Sequence, residues 1–245
     1  MFRPFIIAVQ FLTRLPTPGL NNISQQDIGH SLAWYPLVGL IIGGILVGAL
    51  ELLSNAPVSL QAALILSLWV LITGALHLDG LADSADAWLG GHGDKEKTLA
   101  IMKDPTSGPA AVVILILVLL TKYTAIEAII TNGDWLILLF APMLARGMML
   151  LLFQTTAYVR TGGLGEALAH HHSHLIGWML IAALAIACVW VLALQGVIIL
   201  VSSCVIFLFV RHMMKKRLGG TTGDTAGALI EISEAVILLG IVLAQ

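Results

Sequence analysis

The sequence predicts an all-α, polytopic integral membrane bundle of about seven transmembrane helices plus an N-terminal interfacial helix, folded as a single transmembrane domain over residues 1–245. Three observations predict it. Apolar residues make up 58% of the chain, charged residues only 11%, and mean hydropathy is +0.97, far from the composition of a soluble domain. Seven apolar stretches approach or reach the roughly 17 to 25 residues that a bilayer crossing takes. Lys and Arg gather in the loops on one side of those stretches.

In chain order, the start MFRPFIIAVQFLTRLPTP has too short an apolar run for a secretory signal and no small-residue cleavage site after it. Pro16 and Pro18 end it as an interfacial helix. Spans are expected over 34–53, 60–76, 110–130 and 135–153, then 175–194, 197–210 and 226–243, the sixth being short and extendable to Met214. Links as short as 131–134 and 195–196 imply helical hairpins in one compact bundle. Arg3, Arg14, Lys95, Lys97, Lys103, Arg160, Arg211, Lys215, Lys216 and Arg217 all fall on the side of the N-terminus and the longer loops. By the positive-inside rule that side is cytoplasmic in the inner membrane, and the C-terminus lies outside. The small-residue stretch 39–48 can pack helices within the bundle or between protomers, so a homo-oligomer stays open.

Two function classes lose support at once. Cys188 and Cys204 sit inside apolar spans with no CxxC spacing, which suggests neither a disulfide framework nor a zinc site. A net charge of −2 with no basic, aromatic-interleaved patch gives no reason to expect nucleic acid as a partner.

The chemistry concentrates in HLDGLADSADA (77–87). Asp79, Asp83 and Asp86 are spaced i, i+4, i+7, so if the apolar segment before them continues as a helix they project from one narrow face. Three anions there repel each other unless a cation sits between them. Hard carboxylate oxygens suit Mg²⁺, whose shell is usually completed by water and substrate phosphates, and Gly80 and Ala82 leave room for such a ligand. His77 reads as a polar cap. In MKDPTSGP (102–109), Asp104 can join a metal shell and Lys103 can meet phosphate as a point charge. In GGTTGDTAGALIEISEA (219–235) a Gly/Thr turn offers backbone N–H groups to an anion, and Asp224, Glu231 and Glu234 follow, in or near the bilayer. Arg146 falls within the fourth span, where it must pair with an inward carboxylate or with substrate phosphate, the second being the expectation. Lys122 and Glu127 are poorly spaced to pair on one helix, and their roles stay open. His170, His171, His172 and His174 read as a polar turn.

Together FLTRLP (11–16), WYPLVGLIIGG (34–44), HLDGLADSADA, MKDPTSGP and GGTTGDTAGA resemble the cobalamin synthase family, the adenosylcobinamide-GDP ribazoletransferases, over nearly the whole chain. The resemblance implies a Mg²⁺-dependent transferase that joins adenosylcobinamide-GDP to α-ribazole or its 5′-phosphate and releases GMP. On that footing Asp79, Asp83 and Asp104 are expected to hold Mg²⁺ against the pyrophosphate. Asp86 is expected to act as the base beside Asp83, and Lys103 and Arg146 to neutralise phosphate oxygens. Asp224 and Glu231 are expected to hold the second substrate or a second metal. The runner-up enzyme is a CDP-alcohol phosphotransferase, whose motif has an AR after DG that is missing after Asp79 and Gly80 here. The rival from another class is a secondary transporter, disfavoured because the acids gather at one membrane face and no paired interrupted helices are seen in the two halves.

Overall fold

The protein is described by a computed structural model that covers residues 2–162 and 164–244. Among these residues the fold is all-α. Its helices are α1 (Phe2–Leu12), α2 (Gln25–Ser31), α3 (Tyr35–Leu52), α4 (Val58–Thr73), α5 (Leu76–Gly90) and α6 (Lys95–Ile101), followed by α7 (Pro109–Asn132), α8 (Leu136–Thr155), α9 (Leu164–His171), α10 (His174–Leu218) and α11 (Gly223–Val242).

Amphipathic α1 buries Ile7, Ala8, Val9 and Leu12 and leaves Phe2 exposed. It stops before the prolines, where the Thr13 hydroxyl donates to the Val9 carbonyl. A Ser24–Asp27 capping box starts α2. A 3₁₀ turn over Leu32–Trp34 leads into α3, which has Pro36 in its first turn.

In lipid, helices associate through close packing rather than water exclusion, so small residues at a crossing matter. A Cβ added to Gly39 would lie 2.4 Å from the Pro142 carbonyl oxygen, and one added to Gly43 would lie 2.6 Å from that of Leu139. These two glycines therefore seat α3 directly on α8. Gly44 and Gly48 face open space.

Five helical segments, 25–52, 109–132, 136–155, 174–218 and 223–242, are each long and apolar enough to cross a membrane, and the pair α4 and α5 makes a sixth if counted as one broken span. The expected count of about seven is reached only by counting α10 twice, and the contacts of α10 support doing so. Its start lies beside Gln154, which donates to the His174 carbonyl, and Gln195 reaches Asp134 at the opposite end of α8. Arg211 then returns to Thr155 and Thr156. The reversal occurs at Ala193, whose φ of 49° and ψ of −122° are not helical. The chain therefore goes across and comes back.

One expectation is corrected. The apolar segment before the Asp-rich motif does not continue as a helix into it. Gly74 and Ala75 both take left-handed backbone, with φ of 60° and 57°, and the two helices they separate meet at 87°. Helix α5 thus turns at nearly a right angle to α4 and lies across the end of the bundle where α7 and α11 begin. Central α11 packs against α5, α7, α8 and α10.

Candidate active site

Close approach of two helices builds the site. A Cβ on Gly80 would stand 2.7 Å from the Asp224 carbonyl oxygen, and Gly227 packs on the His77 backbone. Nothing bulkier than glycine fits at Gly80, and the contact brings Asp79 and Asp83 of α5 beside Asp224 in the first turn of α11. The Thr222 capping box holds that turn, with the Thr222 hydroxyl accepting from the Thr225 N–H.

An isolated bridge joins the loop after α8 to the turn before α11. The Val159 N–H donates to the Thr221 carbonyl and the Thr221 N–H to the Ala157 carbonyl, each at 2.9 Å. This fixes Arg160, whose guanidinium lies 2.9 Å from the Asp224 carboxylate, both side chains being largely buried. Partial burial, joined by the negative charges of Asp79 and Asp224 and opposed by Arg160, pushes the Asp83 carboxyl up to about 6. The face is an anionic cluster with a single guanidinium at its edge.

These donors fit a hard divalent cation: oxygen-only, open to solvent at Asp79, and mutually repelling without one. Among the described residues no three His, Cys, Asp or Glu side chains form a ready-made cage. Mg²⁺ characteristically needs only one or two protein carboxylates where substrate phosphates complete its shell.

The other expected site residues distribute differently. Asp86 faces α7, accepting the Gly108 N–H at 2.5 Å and the Ala111 N–H at 3.0 Å on its two oxygens, so it caps that helix. Lys103 and Asp104 are exposed. The Thr106 hydroxyl and N–H both donate to Asp104 and hold its carboxyl below the usual carboxylate range. Arg146 and Glu231 are buried, at 0% and 4% exposure, in a charge network deeper in the bundle. There Lys122 pairs with Glu231 at 2.7 Å and with Glu234, while Arg146 pairs with Glu234. Two cations and two carboxylates make the network neutral, and the Lys122 ammonium also lies 4.7 Å from the centroid of the Trp69 ring. Of the two partners open to Arg146 in the sequence, the structure supplies the inward carboxylate.

Sequence reasoning used Arg160 only as a marker of sidedness. Its closeness to Asp224, 64 positions along the chain, left no local signal beyond a cation in a Gly-rich loop.

The His-rich segment, expected as a polar turn, instead puts His170 and His171 in the last turn of α9 and His174 at the start of α10, with only residues 172–173 as the link. His172 Nδ1 lies 2.8 Å from the Leu168 carbonyl oxygen and His174 Nδ1 lies 2.6 Å from Gln154 Oε1. Cys188 and Cys204 are free thiols.

The family model described as cobalamin-5-phosphate synthase matches residues 4–242. A protein of Pseudomonas savastanoi pv. phaseolicola named adenosylcobinamide-GDP ribazoletransferase is 54% identical over 242 residues, covering 98% of this chain and 99% of its own. Proteins of the same name from Pseudomonas fluorescens (strain Pf0-1) and Pseudomonas entomophila are 51% and 53% identical over similar lengths. No solved structure matches the chain.

Proposed function

This chain belongs to the cobalamin-5-phosphate synthase family, and from that premise we propose that it is an adenosylcobinamide-GDP ribazoletransferase. The reaction joins adenosylcobinamide-GDP to α-ribazole, or its 5′-phosphate, and releases GMP in assembly of the cobalamin nucleotide loop. The observation that carries the site assignment is the meeting of Asp79, Asp83 and Asp224 beside Arg160 at one end of the bundle.

A ribose hydroxyl of the acceptor attacks the phosphorus that bears the cobinamide. A new P–O bond forms, the pyrophosphate P–O bond breaks, and GMP leaves with the electron pair. Such transfers depend mainly on positioning and on neutralising charge. Asp79 and Asp224 are the residues that would hold Mg²⁺, which when bound supplies charge neutralisation at the phosphate oxygens. Asp83, a half-buried carboxylate with a proton affinity raised toward neutrality, takes the proton of the attacking hydroxyl. Arg160 offers a guanidinium to the phosphates in exchange for its contact with Asp224. Asp86 serves this site by fixing the start of α7 rather than as the base. Arg146 and Glu231 support it from the buried network. Lys103 and Asp104 stay on the exposed loop before α7.

The basic residues gather at the end of the bundle that carries this site. By the positive-inside rule the site and the N-terminus face the cytoplasm of the inner membrane, with the C-terminus outside.

The test uses purified protein in lipid nanodiscs, given adenosylcobinamide-GDP with α-ribazole or with a CDP-activated lipid and its alcohol acceptor. Formation of a corrinoid product carrying the ribazole supports the assignment. CMP release from the lipid substrate, with no corrinoid product, would move the chain to phospholipid synthesis.

A further inference from the structure

Beneath the acidic face lies a cavity of about 210 Å³ between α5, α8, α9 and the start of α11. Its lining mixes two chemistries: Asp79, Asp224 and His77 are polar, while Phe11, Leu76, Met149, Phe153, Leu164 and Leu168 are apolar. Gly227, one turn into α11, and Met149, one turn deeper along α8 than Phe153, place its floor toward the bundle interior. His77 is 2% exposed, and its Nε2 has no hydrogen-bond partner among the described residues. A buried nitrogen left unsatisfied is costly, and because His77 lines the cavity, a ligand seated there can satisfy it.

An apolar cavity of ~150 Å³ is known to take benzene. One of about 210 Å³ takes a slightly larger ring system, and it is far too small for a corrin macrocycle. Guanine fits the space less well: its amino and ring N–H groups could meet Asp79 or Asp224, but its carbonyl oxygen and N7 are acceptors that would face carboxylates or the apolar side chains of Phe153, Met149 and Leu168. A methylated benzimidazole has two fused apolar rings and, once joined to ribose, a single free ring nitrogen.

We propose that this cavity seats the aromatic base of the acceptor nucleoside, with its one free ring nitrogen accepting a hydrogen bond from His77 Nε2. The inference rests on the transferase reading and assigns its second subsite. With the base inside, the ribose emerges at Asp79 and Asp224, which brings its hydroxyls to the carboxylate cluster that includes Asp83. The nucleotide of the donor stays outside on the open face.

The experiment measures KM for each substrate separately in nanodiscs, together with equilibrium binding of 5,6-dimethylbenzimidazole and of guanosine. Leu164 is 45% exposed at the rim, so Leu164→Trp narrows the entrance without disturbing the packed core. It should raise KM for α-ribazole at least tenfold and leave KM for adenosylcobinamide-GDP within twofold. His77→Gln should raise the same KM about threefold to tenfold, the loss of one neutral hydrogen bond. Dimethylbenzimidazole should bind wild type and compete with α-ribazole alone, and guanosine should leave it bound. A rise in KM for adenosylcobinamide-GDP alone, or displacement by guanosine, would overturn the inference and leave the transferase assignment intact. If wild type makes no corrinoid product, the transferase reading fails. Equilibrium binding of dimethylbenzimidazole that Leu164→Trp abolishes would still support the seat, and no binding would refute it.

Discussion

Lys122→Met should be among the most damaging single changes in this protein, although Lys122 lies well inside the bundle from the acidic face. Lys122 is 2% exposed and pairs with both Glu231 and Glu234, while Arg146 reaches only Glu234. Without the ammonium two buried carboxylates share one guanidinium, leaving a net charge of −1 where water is excluded. Breaking a buried pair from one side costs about 3–5 kcal/mol. For a chain of this size each kcal/mol moves Tm by about 2–4 °C, so the drop should be about 6–20 °C. Met fills much of the same volume, so the effect reports charge rather than a cavity. Buried Cys188 supplies the assay: a thiol-reactive fluorophore in a Cys204→Ser background reads its exposure on heating. The double variant Lys122→Met with Glu231→Gln restores neutrality through Arg146 and Glu234, and should recover most of the loss. A single variant that melts within 2 °C of wild type, or a double variant no more stable than the single, would refute the reasoning.

Three further outcomes follow from the acidic end of the bundle. Turnover should fall about tenfold per pH unit on the acid side because Asp83 must be ionised to accept a proton, with the break at or below about 6 because bound Mg²⁺ offsets the repulsion from Asp79 and Asp224. The same carboxyl lies above the 3.8 of an unfolded chain, so the folded state binds the extra proton and gains stability as pH falls through about 6. A pH–rate profile alongside melting curves should therefore show opposite trends, and parallel trends would speak against Asp83 as the base. Asp86→Ala should cost about 1 kcal/mol as a lost cap, seen as a lower melting temperature, and Asp86→Asn should keep turnover at every pH. Abolished turnover in a folded Asp86→Asn would return the base role to Asp86. Arg160→Gln should lower kcat/KM for adenosylcobinamide-GDP by on the order of 10- to 100-fold, the loss of a charged hydrogen bond in the transition state. An unchanged kcat/KM would confine Arg160 to holding Asp224.

Local spacing made much of this legible. The one-sided Lys and Arg residues and the apolar runs gave the bundle, and the i, i+4 relation of Asp79 and Asp83 gave the acidic face. The right-angled break at Gly74 and Ala75 escaped because apolar character runs on through Leu76 while the backbone turns. Hydropathy records solvent, and only the glycine hinted at a left-handed residue. The partners of Lys122 escaped for a different reason. Glu127, five positions away, was the only acid in local reach, whereas Glu231 and Glu234 arrive from 109 and 112 positions along the chain through the packing of α7 on α11. Asp86 looked like its neighbours in the motif, and only the arrival of the α7 start over it gave its oxygens their partners.

The central claim is that the carboxylates at the α5–α11 crossing drive transfer with a divalent cation. The most direct test follows GMP release from adenosylcobinamide-GDP and α-ribazole by wild type and by Asp83→Asn in nanodiscs, with Mg²⁺ or with EDTA. The account predicts release by wild type only with Mg²⁺, and its loss in an Asp83→Asn variant that melts like wild type. Undiminished release in EDTA, or from folded Asp83→Asn, would contradict it.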